Sequence, residues 1–207
     1  MHRTMFESRA GSANARTAAV GLVAAAFMTL LLTHVSAPLA PLRLLTLAIA
    51  AFAAWAFCDE MGMKKPLNRA AFVFFAIAVI AKVQIALGLM PELAGRYNLL
   101  YAAFLLMAVL LWSVAFLHRQ RALKIVGAVG VLAAGFPIAA IVVGHLVVGV
   151  GTAFGVSALL AATNGAAPTD LGFVTLVERI FGLWAYVAAW LLWRGYVAAS
   201  PAGAIPG

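Results

Sequence analysis

Charged residues are scarce in this chain of 207 residues, and acidic residues are the scarcest among them. Asp, Glu, Lys and Arg together make up 10% of the sequence, against about 25% in a typical soluble domain. By contrast, 66% of the residues are hydrophobic and the mean hydropathy is +1.07. This composition excludes an ordinary soluble domain and indicates an integral membrane protein.

Cysteine is nearly absent, because Cys58 is the only one in the sequence. A single cysteine excludes an internal disulfide and any zinc or iron-sulfur site built from several thiolates. Histidine offers no substitute, since no two of His34, His118 and His145 lie four residues apart on a helix. Nucleotide-binding and catalytic motifs are also missing. We therefore expect no metal, no cofactor and no catalytic residue, and the sequence leans away from an enzyme.

Long apolar stretches dominate what is present. Only helices satisfy the backbone polar groups of so apolar a chain inside a membrane, so these stretches predict an all-α, polytopic transmembrane helix bundle. We expect a basic cytoplasmic tail over residues 1–16, one transmembrane domain over residues 17–197 and a disordered tail over residues 198–207. The predicted spans cover residues 17–33, 42–58, 70–90 and 98–117, a fifth stretch from residue 125, and residues 171–197.

The fifth stretch leaves the number of spans open. It stays apolar as far as Ala162, which is too long for one span and just enough for two short ones. In a six-span protein, residues 144–162 form a kinked extension, a re-entrant turn or an interfacial helix. The alternative is a seven-span protein.

The distribution of basic residues predicts the orientation, because cytoplasmic segments of membrane proteins carry an excess of Lys and Arg. With six spans and the N-terminus inside, ten basic residues are cytoplasmic and two are in outer loops, whereas seven spans give nine and three. Both counts place the N-terminus in the cytoplasm. The net charge of +8 therefore reflects membrane orientation, and we expect no nucleic-acid partner.

Ionisable side chains within a span are costly, so Lys82, Glu178 and Arg179 are the candidate site residues. Lys82 lies eight residues before Met90, about 12 Å from the outer end of the third span at about 1.5 Å per residue. Glu178 lies seven residues after Leu171, about 10 Å below the same surface. Opposite charges at matching depth predict an ion pair between Lys82 and Glu178.

Two further polar residues complete a predicted intramembrane polar cluster near the outer surface. Its members are Lys82, Gln84, His145, Glu178 and Arg179. Such a cluster could form an outward-facing pocket for an ion or small solute, relay protons, or lock helices together. In the plainest alternative, Lys82 extends to the headgroups while Glu178 and Arg179 form a pair at the start of a helix.

The last span carries a family resemblance. The run Glu178-Arg179-Ile180-Phe181-Gly182-Leu183-Trp184, with Trp190 and Trp193-Arg194 after it, resembles the closing helix of small six-span bacterial inner-membrane proteins of unknown function. The resemblance implies about six helices and a bacterial inner-membrane location. It implies no activity and no site residue.

Three functions remain open. The two leading ones are a non-enzymatic accessory subunit and a small permease, which the sequence does not separate. The alternative is an intramembrane enzyme that acts on a lipid or a small apolar substrate. The expected partners are the lipid bilayer and either another membrane protein or a second copy of the chain.

Overall fold

The computed structural model describes residues 13–32, 40–62, 65–89, 91–118, 121–147 and 171–195. Within these ranges the chain forms six α-helices and no β-strand, which confirms the predicted all-α fold. A single 3-10 turn, Pro91–Leu93, precedes the fourth helix. The helices are α1 Ala13–Leu32, α2 Ala40–Met61, α3 Pro66–Leu87, α4 Ala94–Leu117, α5 Arg121–Val147 and α6 Leu171–Trp193.

Five of these helices, all except α5, are long and apolar enough to cross a membrane. In α5, which is 27 residues long, the described apolar stretch is Leu123–Ala139. The chain is therefore a multi-pass membrane protein.

The helix ends follow from proline and glycine. Pro41 and Pro66 lie in the first turns of α2 and α3, where a missing N–H costs nothing. The predicted third span continues to residue 90, but α3 ends at Leu87. Gly88 closes it in the left-handed region with φ 62°, donating its N–H to a carbonyl of the last turn. Glycine adopts this conformation without a Cβ penalty, so it stops the helix three residues early.

Five helices form a closed ring in the order α1, α2, α3, α4 and α6, and α5 packs outside it against α4 and α6. Small residues permit the close approach of α1 and α2. A Cβ on Gly21 would lie 2.9 Å from the Cβ of Ala53. Close packing of small residues is a main source of helix association in lipid. The buried face of α1 is accordingly rich in alanine, at positions 15, 18, 19, 25 and 26.

Contacts between α3 and α6 show that these helices run antiparallel. Lys82 contacts Glu178, and Phe75, earlier in α3, stacks on Phe181, later in α6. The short connections from α2 to α5 make consecutive helices alternate, so α5 runs parallel to α3 and antiparallel to α6. The seven-span alternative would need α5 and α6 to be parallel, so their antiparallel arrangement favours the six-span prediction.

The two terminal helices meet at one end of the bundle, where the Arg16 guanidinium lies 5.8 Å from the ring centroid of Trp193. We name this the basic end, and the other the opposite end. The positive-inside rule predicts that the basic end is cytoplasmic. Its exposed basic side chains within the described residues are Arg16, Lys65, Arg69, Lys124 and Arg194. Both predicted tails, apart from residues 13–16 of α1, and residues 148–162 of the predicted extension lie outside the described residues.

A buried asparagine holds the α2–α3 hairpin at the basic end. Asn68 is 1% exposed, and its Nδ2 donates hydrogen bonds to the carbonyls of Met61, at 2.9 Å, and Gly62, at 3.2 Å. Gly62 has φ 90°, a conformation that favours glycine. The amide therefore fixes the turn that sets α2 against α3.

We expect Asn68→Ala to lower the free energy of unfolding by about 1 to 3 kcal/mol, because it removes the two hydrogen bonds that the buried amide donates to the turn. The measurement is unfolding of the detergent-solubilised protein. Asn98→Ala, at a partly exposed position of α4, is the matched control and should change stability little. Equal losses in the two variants would contradict a role for the Asn68 amide.

Candidate functional site

An ion pair joins α3 to α6 towards the opposite end of the bundle. The Nζ of Lys82 lies 2.9 Å from Oε1 of Glu178, so the predicted contact is present. Their side chains are 18% and 12% exposed, respectively. A pair this far removed from solvent is screened much less than a surface pair.

Tyr101 of α4 completes the contact between the two helices. It is 6% exposed, and the Nζ of Lys82 lies 4.4 Å from the centroid of its ring. This distance is within the range of about 6 Å for a cation–π interaction. The Tyr101 hydroxyl lies beside the Glu178 carboxylate and can donate a hydrogen bond to it. One tyrosine thus contacts both charges, and we call these three residues the ion-pair cluster.

Matching depth brings the three side chains together. Lys82 lies five residues before the end of α3, about 8 Å at about 1.5 Å per residue. Glu178 and Tyr101 each lie seven residues after the start of their helices, about 10 Å deep. Tyr101 was not among the predicted site residues, because an aromatic residue towards the end of an apolar span usually lies in the headgroup region. Its depth, equal to that of Glu178, is the signal that could have identified it.

The other predicted members of the polar cluster are placed differently. Gln84 is partly buried, and its Oε1 has no hydrogen-bond partner among the described residues. Arg179 is exposed and forms no salt bridge within the described part of the chain. His145 lies near the end of α5, and its side chain is outside the described residues. A shared functional role of these residues therefore stays a prediction.

Beneath the ion-pair cluster the ring of helices is filled by aromatic side chains. Trp112 of α4 stacks on Trp184 of α6 with ring centroids 5.3 Å apart and an interplanar angle of 12°. Phe57 of α2 meets both indoles edge-on. We name this group the aromatic cluster, and its members are Phe57, Phe75, Trp112, Phe116, Phe181 and Trp184.

Two of these rings form the floor of the ion-pair cluster. Phe75 lies seven residues before Lys82 on α3, and Phe181 lies three residues after Glu178 on α6. Their ring centroids are 5.7 Å apart and the planes are inclined by 28°. An apolar floor of stacked rings separates the charges from the basic end, so any access to them is from the opposite end or from lipid.

Within the described part of the chain, one side-chain hydrogen bond ties the aromatic cluster to a polar neighbour. The indole N–H of Trp184 donates to Oγ of Ser113 at 3.1 Å, and Ser113 is fully buried. Gly130 of α5 lies against both side chains, and a Cβ there would overlap the serine hydroxyl. This glycine allows α5 to pack into the groove between α4 and α6.

The ion-pair cluster is chemically self-contained. Each charge has an opposite charge as partner, and Tyr101 adds a ring face for the ammonium and a donor for the carboxylate. An ion or solute that bound here would have to displace one of these contacts. Among the described residues, no group of three or more His, Cys, Asp or Glu side chains could hold a metal ion.

No protein-family model, no curated protein and no solved structure matches this chain. The resemblance of the last helix to six-span bacterial proteins therefore stays a prediction.

Proposed function

We propose that this protein is a non-enzymatic accessory subunit of a bacterial inner-membrane assembly. The alternative is a small permease that carries an ion or solute past Lys82 and Glu178. The aromatic cluster is the observation that carries the proposal, because it fills the ring of helices just below the ion pair.

A permease needs a polar route that opens alternately to the two sides of the membrane. Here such a route would have to pass between Phe75 and Phe181 and then between the stacked indoles. Opening it would separate rings that pack on side chains from α2, α3, α4 and α6 together. Interiors packed in this way are costly to disrupt, which favours a rigid, non-transporting bundle.

The ion-pair cluster supports the same proposal. Transmembrane charges that serve transport usually face a water-filled cavity, whereas these two side chains are mostly buried and satisfied by each other. Their arrangement suits a lock that fixes α6 against α3 and α4. A fixed bundle presents a constant surface to a partner protein.

Two buried alanines of α3 allow a direct test, since they flank the ring of Phe75 on the two sides of the floor. Ala78 lies towards the ion pair and Ala71 towards the basic end, and both are 0% exposed. We expect Ala78→Cys and Ala71→Cys to react with a membrane-impermeant thiol reagent no faster than the natural Cys58, which is also 0% exposed. Leu89→Cys, at a position that is 62% exposed at the opposite end, is the positive control.

Purification under mild conditions provides the second arm of the test. Recovery of one membrane protein at fixed stoichiometry, together with no labelling of the cysteines introduced at positions 71 and 78, would support the accessory role. Rapid labelling of the two buried positions would indicate a water-filled route and would favour the permease.

A further inference from the structure

A groove lies on the lipid-facing surface between α1 and α6, and the proposed accessory role does not depend on it. Its volume is about 470 Å³, and its walls are almost entirely apolar. The side chains that form its walls include Val20, Val23 and Phe27 of α1 and Tyr186, Trp190 and Trp193 of α6.

Arginines lie beside the two tryptophans of the groove, towards the basic end. The Arg16 guanidinium lies 5.8 Å from the ring centroid of Trp193, and the Arg194 guanidinium lies 5.8 Å from that of Trp190. Both arginines are exposed, and no carboxylate of the described residues pairs with either. A guanidinium that lies over a ring face keeps the N–H donors at its edge free for a phosphate.

We propose that this groove binds one anionic phospholipid from the leaflet at the basic end. One acyl chain lies along the apolar walls, and the phosphate contacts Arg16 and Arg194. Trp190 and Trp193 lie where indole rings favour the headgroup region of the bilayer. Basic pockets between transmembrane helices on the cytoplasmic side suit anionic headgroups in general.

The size and charge of the groove favour a lipid over a partner helix. A helix with a diameter of about 10 to 12 Å and a pitch of 5.4 Å fills roughly 400 to 600 Å³ per turn. The groove would therefore accommodate about one turn, which is little for stable helix packing. Within the described ranges the two arginines have no acidic partner, so their charge matches a single phosphate, whereas an apolar helix would leave that charge unpaired.

The test compares lipids and variants of the full chain in detergent. Phosphatidylglycerol and phosphatidylcholine are added separately, bound lipid is counted by native mass spectrometry, and affinity is followed by the rise in melting temperature. We expect one tightly bound phosphatidylglycerol per chain and much weaker binding of phosphatidylcholine. Each arginine contributes roughly fivefold, so Arg16→Gln with Arg194→Gln should weaken phosphatidylglycerol binding about 25-fold.

Matched variants separate this site from a general effect of charge. Arg69→Gln with Lys124→Gln removes the same charge from exposed positions at the same end and should leave binding nearly unchanged. Val20→Trp fills the groove and should abolish tight binding, whereas Val73→Trp, on the exposed face of α3, should not.

Three results would overturn the proposal. The first is equal affinity for the two lipids, and the second is an equal loss in both charge variants. The third is a protein partner that cross-links at position 20 and leaves the groove without lipid. None of them bears on the thiol-labelling test, so the groove and the accessory role fail independently.

Discussion

Lys82→Met is expected to cost about 3 to 5 kcal/mol of unfolding free energy, because it leaves the Glu178 carboxylate without its counter-charge in a mostly buried position. The carboxylate has an Oε1 only 2.9 Å from the lysine Nζ, so the loss of the ammonium removes its strongest partner. Among the described residues, the Tyr101 hydroxyl is the neighbour that can still donate to it. Methionine keeps most of the length and the apolar stem of lysine, so the loss of unfolding free energy can be attributed to the missing charge.

Glu178→Gln should also destabilise, though by less, since the Lys82 ammonium keeps the face of the Tyr101 ring at 4.4 Å. A cation–π contact offers about 0.5 to 2 kcal/mol of compensation. The double variant, Lys82→Met with Glu178→Gln, should recover most of the loss, because neither charge is then left alone. The measurement is a double-mutant cycle on unfolding in detergent.

The neighbouring Arg179 provides a matched control for this cycle. It lies one residue after Glu178 but is exposed, so Arg179→Gln should cost about 1 kcal/mol or less. Small, additive effects of the Lys82 and Glu178 substitutions would contradict a buried pair. They would instead support the alternative in which Lys82 reaches the headgroups.

The ion pair could be predicted from the sequence because its two determinants are local. Charge within an apolar run marks the residue, and the distance to the end of the run gives its depth. The predicted depth of Lys82 was too large by three residues, since the helix ends at Leu87 rather than Met90. The contact with Glu178 was still predicted correctly, because a lysine side chain is long enough to reach it from the shallower position.

Tyr101 and the aromatic cluster could not be predicted in the same way. Aromatic residues occur on every described helix, and hydropathy does not distinguish a ring that faces lipid from one that faces the bundle. Trp184 is 5% exposed whereas Trp190, on the same helix, is 51% exposed. That difference depends on the order of helices around the ring, which in lipid is set by packing rather than by the hydrophobic effect. Packing partners are distant in sequence and leave no local pattern.

The direction of the last helix illustrates the same distinction. Charge counting separated six from seven spans by one residue, ten against nine. The stacking of Phe75 on Phe181, three residues beyond Glu178, fixes α6 as antiparallel to α3. A contact between two helices thus favours one of two arrangements that the charge count hardly separated.

Trp184→Ala is expected to lower the free energy of unfolding by about 3 kcal/mol, at the lower end of the usual range for the loss of a buried tryptophan. The lower value is expected because a ring gains little from leaving lipid, so the cost is chiefly lost packing and the cavity left behind. Trp184 stacks on Trp112 at a centroid distance of 5.3 Å and meets Phe57 at 5.6 Å, and both contacts are lost together.

Trp55→Ala is the matched control, because it makes the same substitution at a lipid-facing position of α2 that is 49% exposed. It should change stability by much less than Trp184→Ala, in unfolding experiments under the same detergent conditions. Trp184→Phe should cost about 1 kcal/mol through loss of the hydrogen bond to Ser113, since the phenyl ring retains much of the stacking. If Trp184→Ala and Trp55→Ala were equally mild, the aromatic cluster could not be what holds α6 to α2 and α4. The interior of the ring would then be open enough for the transport route that its packing now argues against.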